Sequence, residues 1–122
     1  MSKHLVIVNS NELVRISPER VVYISSDGNY STMVLSDRRE RLFTFNLTSF
    51  QNIIEKQLQT NANDFIRIGK GLIINRSYIY YINPSKQQLI LSGEKLSDIF
   101  NLTASKEALR QLKDVIEETS NN

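Results

Sequence analysis

A chain of 122 residues, 40% hydrophobic and 23% charged, has enough material for one packed core and too little polar bias for a disordered segment. It contains no cysteine, which excludes a disulfide scaffold, a thiolate metal site and a cysteine nucleophile. A formal net charge of +2 and a pI of about 9.0 are compatible with a polyanionic partner without demanding one.

At the amino terminus, Met1-Ser2-Lys3-His4 leads into only four consecutive apolar residues, Leu5 to Val8, too few for a signal peptide. No segment approaches the ~20 apolar residues of a membrane span. A single cytoplasmic domain over residues 1–122, without a membrane partner, is therefore expected. Leu5 to Val8 and Glu12 to Ile16 read as short strands joined by the turn-prone Asn9-Ser10-Asn11. Pro18 breaks the run, because it fixes φ and removes a donor. Val21 to Ile24 is a β-branched and aromatic strand, Ser25-Ser26-Asp27-Gly28-Asn29 a turn, and Tyr30 to Leu35 the returning strand. A charged turn, Ser36 to Glu40, then precedes a strand over Arg41 to Phe45.

Periodicity changes at Asn46. Leu47, Phe50, Ile54 and Leu58 recur at helical spacing, with Asn46 as N-cap or Thr48 and Gln51 as an alternative capping box. A helix of about three turns is expected to lay this stripe on a sheet. Polar residues Gln59 to Asp64 then deliver the chain to strands Phe65 to Ile68 and Leu72 to Ile74, which flank a Gly69-Lys70-Gly71 tip. Tyr78 to Ile82 is the next strand, stopped at Asn83-Pro84; Gln88 to Leu91 pairs back, and Lys95 to Leu102 follows. The last element is a helix with Ala108, Leu109, Leu112, Val115 and Ile116 on one stripe, Thr103 or Ser105 as cap and Glu107 in the first turn. Thr119 to Asn122 reads as a frayed tail. Eight or nine short strands with two helices make an antiparallel, mostly β domain.

The Gly-Lys-Gly tip carries no side-chain bulk except one long cation. Glycine permits positive φ and close backbone approach, so Lys70 is set to stand clear of its own domain and meet a phosphate or a base edge. As plain structure, the same residues are a soluble hairpin tip. Basic residues are in excess only in the middle: residues 15–76 hold nine Arg or Lys against six Asp or Glu, and residues 77–122 hold five against six. A nucleic-acid surface must then be assembled from loops, since no basic helix or tail is present.

Phe65, Arg67, Ile68, Leu72 to Ile74 and Asn75 resemble the LytTR family of bacterial DNA-binding domains, with Gly69-Lys70-Gly71 standing where a His-Arg-Ser-like tip is usual. Tyr23 to Tyr30 is similar to that family's Ile-x-Ala-x-x-Asn-Tyr region, and Ser105-Lys106 sits where it often has Ser-Arg. The resemblance implies an elongated antiparallel β-sheet, LytTR-like fold that meets double-stranded DNA through loops and the start of the last helix. It also implies direct-repeat promoter sites, transcription regulation of the response-regulator kind, and fusion to a receiver or sensor domain if the chain is a fragment. A homodimer on DNA is compatible with it. By that likeness the DNA-contacting residues are Tyr30, Lys70 and Lys106, with Asn29, Ser31, Gly69, Gly71, Ser105 and Arg110 beside them. From its residue type alone Tyr30 reads first as a sheet aromatic, and Ser105-Lys106 is in any case a helix cap with a solvated lysine, to which a phosphate contact can be added. Lys in place of Arg at residue 106 loses the guanidinium fork and weakens bidentate guanine recognition.

Other constellations favour structure. Arg38, Arg39 and Arg41 are interleaved with Asp37 and Glu40 and read as a solvated turn. Tyr78, Tyr80 and Tyr81 could stack bases, but such a stripe is more often core or sheet surface. His4 is the only histidine, so no metal pair and no Ser-His-acid set is available, and Gly69-Lys70-Gly71 is not a nucleotide-phosphate loop. Neither an enzyme, a metal nor a cofactor is expected. The alternative to DNA binding is a protein–protein interaction module that pairs through exposed strand edges.

Overall fold

The computed structural model describes residues 4–94, 96 and 99–120; residues 1–3, and residues 121–122 of the expected frayed tail, lie outside them. Ten strands and two α-helices occur among the described residues. β1 (Leu5–Val8) and β2 (Leu13–Ile16) form a hairpin. The strands β3 (Val21–Asp27), β4 (Tyr30–Leu35), β5 (Glu40–Phe43), β6 (Phe65–Ile68) and β7 (Leu72–Asn75) form one antiparallel sheet in the order β5-β4-β3-β7-β6. A third sheet joins β8 (Ile79–Asn83), β9 (Gln88–Leu91) and β10 (Phe100–Thr103) in the order β10-β9-β8. The helices are α1 (Leu47–Leu58) and α2 (Lys106–Ser120).

The five-stranded sheet is the middle layer because its strands are apolar on both faces. Side chains alternate along a strand, so Ile24, Met33 and Ile73 enter one core while Val34, Ile74 and Val22 enter the other. The first core is closed by α1 and the β1–β2 hairpin, the second by α2 and the three-stranded sheet. A register irregularity between Val21 and Tyr23 sends Val21 to the first core and both Val22 and Tyr23 to the second.

The first helix starts at the expected cap: the Asn46 side chain accepts from Ser49 N–H at 2.9 Å, and Leu47, Phe50, Ile54 and Leu58 are buried. The alternative capping box does not form, since Thr48 and Gln51 bind elsewhere. β5 ends at Phe43 rather than Phe45, because the chain must leave the ladder to reach the cap. The strand expected over Lys95 to Leu102 begins only at Phe100; residues 95, 97 and 98 lie outside the described ones. Thr119 and Ser120 are not frayed but close α2, and the Thr119 hydroxyl bonds the Val115 and Ile116 carbonyls, each at 3.1 Å.

Asn75, matched above only as part of a pattern, is a buried joint. Its amide donates to the Val21 carbonyl at 2.9 Å and its oxygen accepts from Ser77 N–H at 3.0 Å, which turns the chain out of β7. Asn75→Ala leaves both groups without that partner and is expected to cost about 1–3 kcal/mol of stability. An unchanged thermal midpoint would show that the joint contributes nothing.

Candidate nucleic-acid interface

Two hairpin tips and one helix start meet at one end of the five-stranded sheet. β3 and β7 run antiparallel as neighbours, so the turn after β3 and the turn before β7 lie side by side; Ser26 N–H donates to the Gly71 carbonyl at 2.9 Å. Between the second tip and the start of α2 lies an open cavity of about 520 Å³. Gly69, Lys70 and Gly71 wall one side of it, Thr103, Ala104 and Ser105 the other, and Tyr23 and Ser25 of β3 also line it.

The tip joins β6 and β7 through the three residues Gly69, Lys70 and Gly71, with Ile68 paired to Leu72. Gly69 takes φ +59°, a conformation that favours glycine, and a Cβ there would lie 3.7 Å from that of Ala108. The tip thus sits in van der Waals reach of the first turn of α2. Gly71 needs no positive φ. Lys70 is exposed.

Arg67 braces this tip, a role the sequence did not disclose. One guanidinium nitrogen donates to Thr48 Oγ1 at 2.9 Å and Gln51 Oε1 at 3.0 Å, and the other to the Lys70 carbonyl at 3.4 Å. The first turn of α1 is thereby tied to the loop that presents Lys70. Thr48 and Gln51 stand three apart and so share a helix face, but their bonding to a residue far along the chain left no local signal.

On the first tip, Gly28 takes φ +64° and Tyr30 is 49% exposed. Alternation along β4 puts Tyr30 on the face of Val34, which belongs to the core covered by α2. Tyr30, Lys70 and the start of α2 therefore share one end and one side of the sheet. Asn29 is exposed in the same turn. Ser31 must be withdrawn as a phosphate contact: it faces the opposite core, is fully buried, and donates to the Phe45 carbonyl at 2.8 Å.

Ser105, not Thr103, caps α2, its hydroxyl accepting from Ala108 N–H at 3.1 Å. Lys106 opens the helix and Arg110 follows one turn later, both exposed. The free N–H groups and positive dipole end of the helix add to their charge and favour a phosphate. In the cavity wall, burial, and secondarily the Glu40 carboxylate, raises the Tyr23 phenol above its ordinary pKa, opposed by Arg38. Tyr23 is therefore a neutral hydrogen-bonding group at neutral pH.

The remaining aromatics divide. Tyr78 is core, its hydroxyl donating to the Glu19 carbonyl and its ring against Gly93, where a Cβ would come within 3.0 Å. Tyr80 and Tyr81 are exposed on β8. Arg38 is more than a solvated turn residue: it donates to the Ile99 carbonyl and lies over the Phe100 ring at 4.4 Å. Among the described residues no cluster of His, Cys, Asp and Glu could hold a metal, and no helix is long and apolar enough to cross a membrane.

A β scaffold with two exposed tips and a basic helix start on one side defines a polyanion-gripping domain assembled from loops. The family model of the LytTr DNA-binding domain matches residues 11–117, and the chain belongs to that family. Its function is accordingly DNA binding in transcription regulation, with double-stranded DNA as partner; the family is one of DNA-binding domains rather than of enzymes. A solved structure, the LytTr DNA-binding domain of a Bacillus cereus protein assigned as a methyl-accepting/DNA response regulator, matches over 95% of this chain and 98% of its own. The TM-score is 0.61 at 13% identity, a likeness of fold. Sequence comparison with curated proteins returns no match.

Proposed function

We propose that the domain binds duplex DNA sequence-specifically, with Tyr30, Lys70 and Lys106 reaching base edges in successive grooves. The observation that supports this most is the placement of all three segments at one end and on one side of the same sheet. Lys70 and Lys106 can donate to guanine O6 and N7, and the Tyr30 phenol can bond a base edge while its ring packs on thymine methyls. Asn29, Ser105 and Arg110, with the Gly69 and Gly71 backbone, hold the phosphates that fix register.

The sites are direct repeats in promoters, occupied by two copies of the chain, and the domain acts in the bacterial cytoplasm, under a receiver or sensor domain where the chain is part of a longer polypeptide. Selection from a random duplex pool should recover a common sequence repeated at fixed spacing. Tyr30→Ala should relax preference at one position at a cost of about 1–3 kcal/mol. Recovery of unrelated fragments, bound with equal affinity, would show phosphate attraction alone.

A further inference from the structure

A second basic surface lies at the other end of the molecule. The turn between β4 and β5 is at the end of the sheet opposite the tips, since β4 begins at Tyr30 and finishes at Leu35. There Arg15, Arg20, Arg39 and Arg41 surround a cleft of about 380 Å³ whose floor includes Ile16 and Met33 of the α1-side core. Asp37 engages Arg39 at 3.4 Å and Arg20 at 3.6 Å, and Arg15 meets the His4 ring at 3.3 Å. Arg41 has no partner among the described residues.

The cleft continues between two open strand edges. β5 pairs only with β4, and β2 only with β1. The free side of β1 is already occupied, because the Gln57 side chain donates to the Val6 carbonyl and accepts from Val6 N–H. Residues 14–16 of β2 face residues 39–41 across the arginine cleft, while the Asn9 to Glu12 turn faces Leu42 and Thr44 across a second opening of about 320 Å³. The gap is therefore bordered by strand edges that pair with nothing else among the described residues, cationic at one end and mostly polar at the other, where Leu42 is the one apolar lining residue.

We propose that this gap receives an extended acidic segment of another polypeptide, which adds as a strand beside β5 with its carboxylates in the arginine cleft. Arginine forks match carboxylates bidentately, and an open edge supplies the donors and acceptors that strand addition uses. A duplex fits poorly, because it has no strand-like backbone to pair with these edges. Because the arginine cleft is at the far end of the sheet and on the opposite face from Tyr30, carboxylates bound there and DNA can be held together.

The test is fluorescence anisotropy with a labelled short peptide of alternating glutamate and valine, with and without saturating duplex. Binding should persist with DNA present, fall at least tenfold in Arg15→Glu/Arg41→Glu, and fall likewise when the peptide backbone is N-methylated. Duplex affinity of the double variant should be unchanged. Absence of peptide binding at millimolar concentration, or equal binding by wild type and variant, overturns the proposal. Loss of duplex affinity in the variant would overturn it in favour of a second nucleic-acid surface.

Discussion

Lys70→Ala/Lys106→Ala is expected to bind a selected duplex about 2–6 kcal/mol more weakly than wild type, taking roughly 1–3 kcal/mol for each base-contacting side chain. Both residues are exposed and neither side chain is hydrogen-bonded among the described residues, so the stability of the domain should not move. Lys70 lines the cavity and Lys106 directly follows Ser105 of its opposite wall, which makes the coupling between them informative. If each reads its own base, the single losses add; if both neutralise one phosphate, the double variant loses much less than the sum. Salt separates these further, because every phosphate that a variant no longer neutralises lowers the log–log salt slope by about 0.9. A double variant with unchanged affinity and base preference would remove both residues from the interface.

What could be read before the fold was known followed from local patterns. The period of Leu47, Phe50, Ile54 and Leu58 located α1, and Asn46, one of its two candidate caps, proved to start it, since a helix is specified by neighbours a turn apart. The tip at Gly69 to Gly71 was equally plain, because two glycines between apolar runs have few other uses. Ser31 was misplaced although alternation gave the clue: if Tyr30 faces solvent, the next residue faces in. What no local pattern carried was the register between distant strands. That β3 lies beside β7, and so brings two tips together, depends on pairs such as Ile24 with Ile73, far apart in the chain. The Arg67 brace and the stacking of Arg38 on Phe100 are of the same kind, single side chains reaching elements distant in sequence. The LytTR likeness supplied the use of loops and helix start together as an expectation, where the chemistry of neighbours could not; it did not supply the brace.

Phe50→Ala should be the most damaging single change, at about 3–5 kcal/mol, a large share of the roughly 5–15 kcal/mol that holds such a domain folded. Its ring is fully buried, edge-on to Phe43 at 5.2 Å and tilted against Phe45 at 5.3 Å, so truncation opens a void that three elements cannot close together. The thermal midpoint should fall on the order of 10–20 °C. The effect should also reach the DNA site, because the helix that Phe50 anchors carries Thr48 and Gln51, and these hold Arg67 and through it the Lys70 loop. The folded fraction should therefore discriminate poorly at the base pair that Lys70 is proposed to read. Arg67→Met separates the two consequences: it should relax the same preference while the midpoint moves little, since the guanidinium is at the surface end of the brace. Normal discrimination by both variants would mean that the Lys70 tip keeps its shape unaided and that α1 serves the core alone.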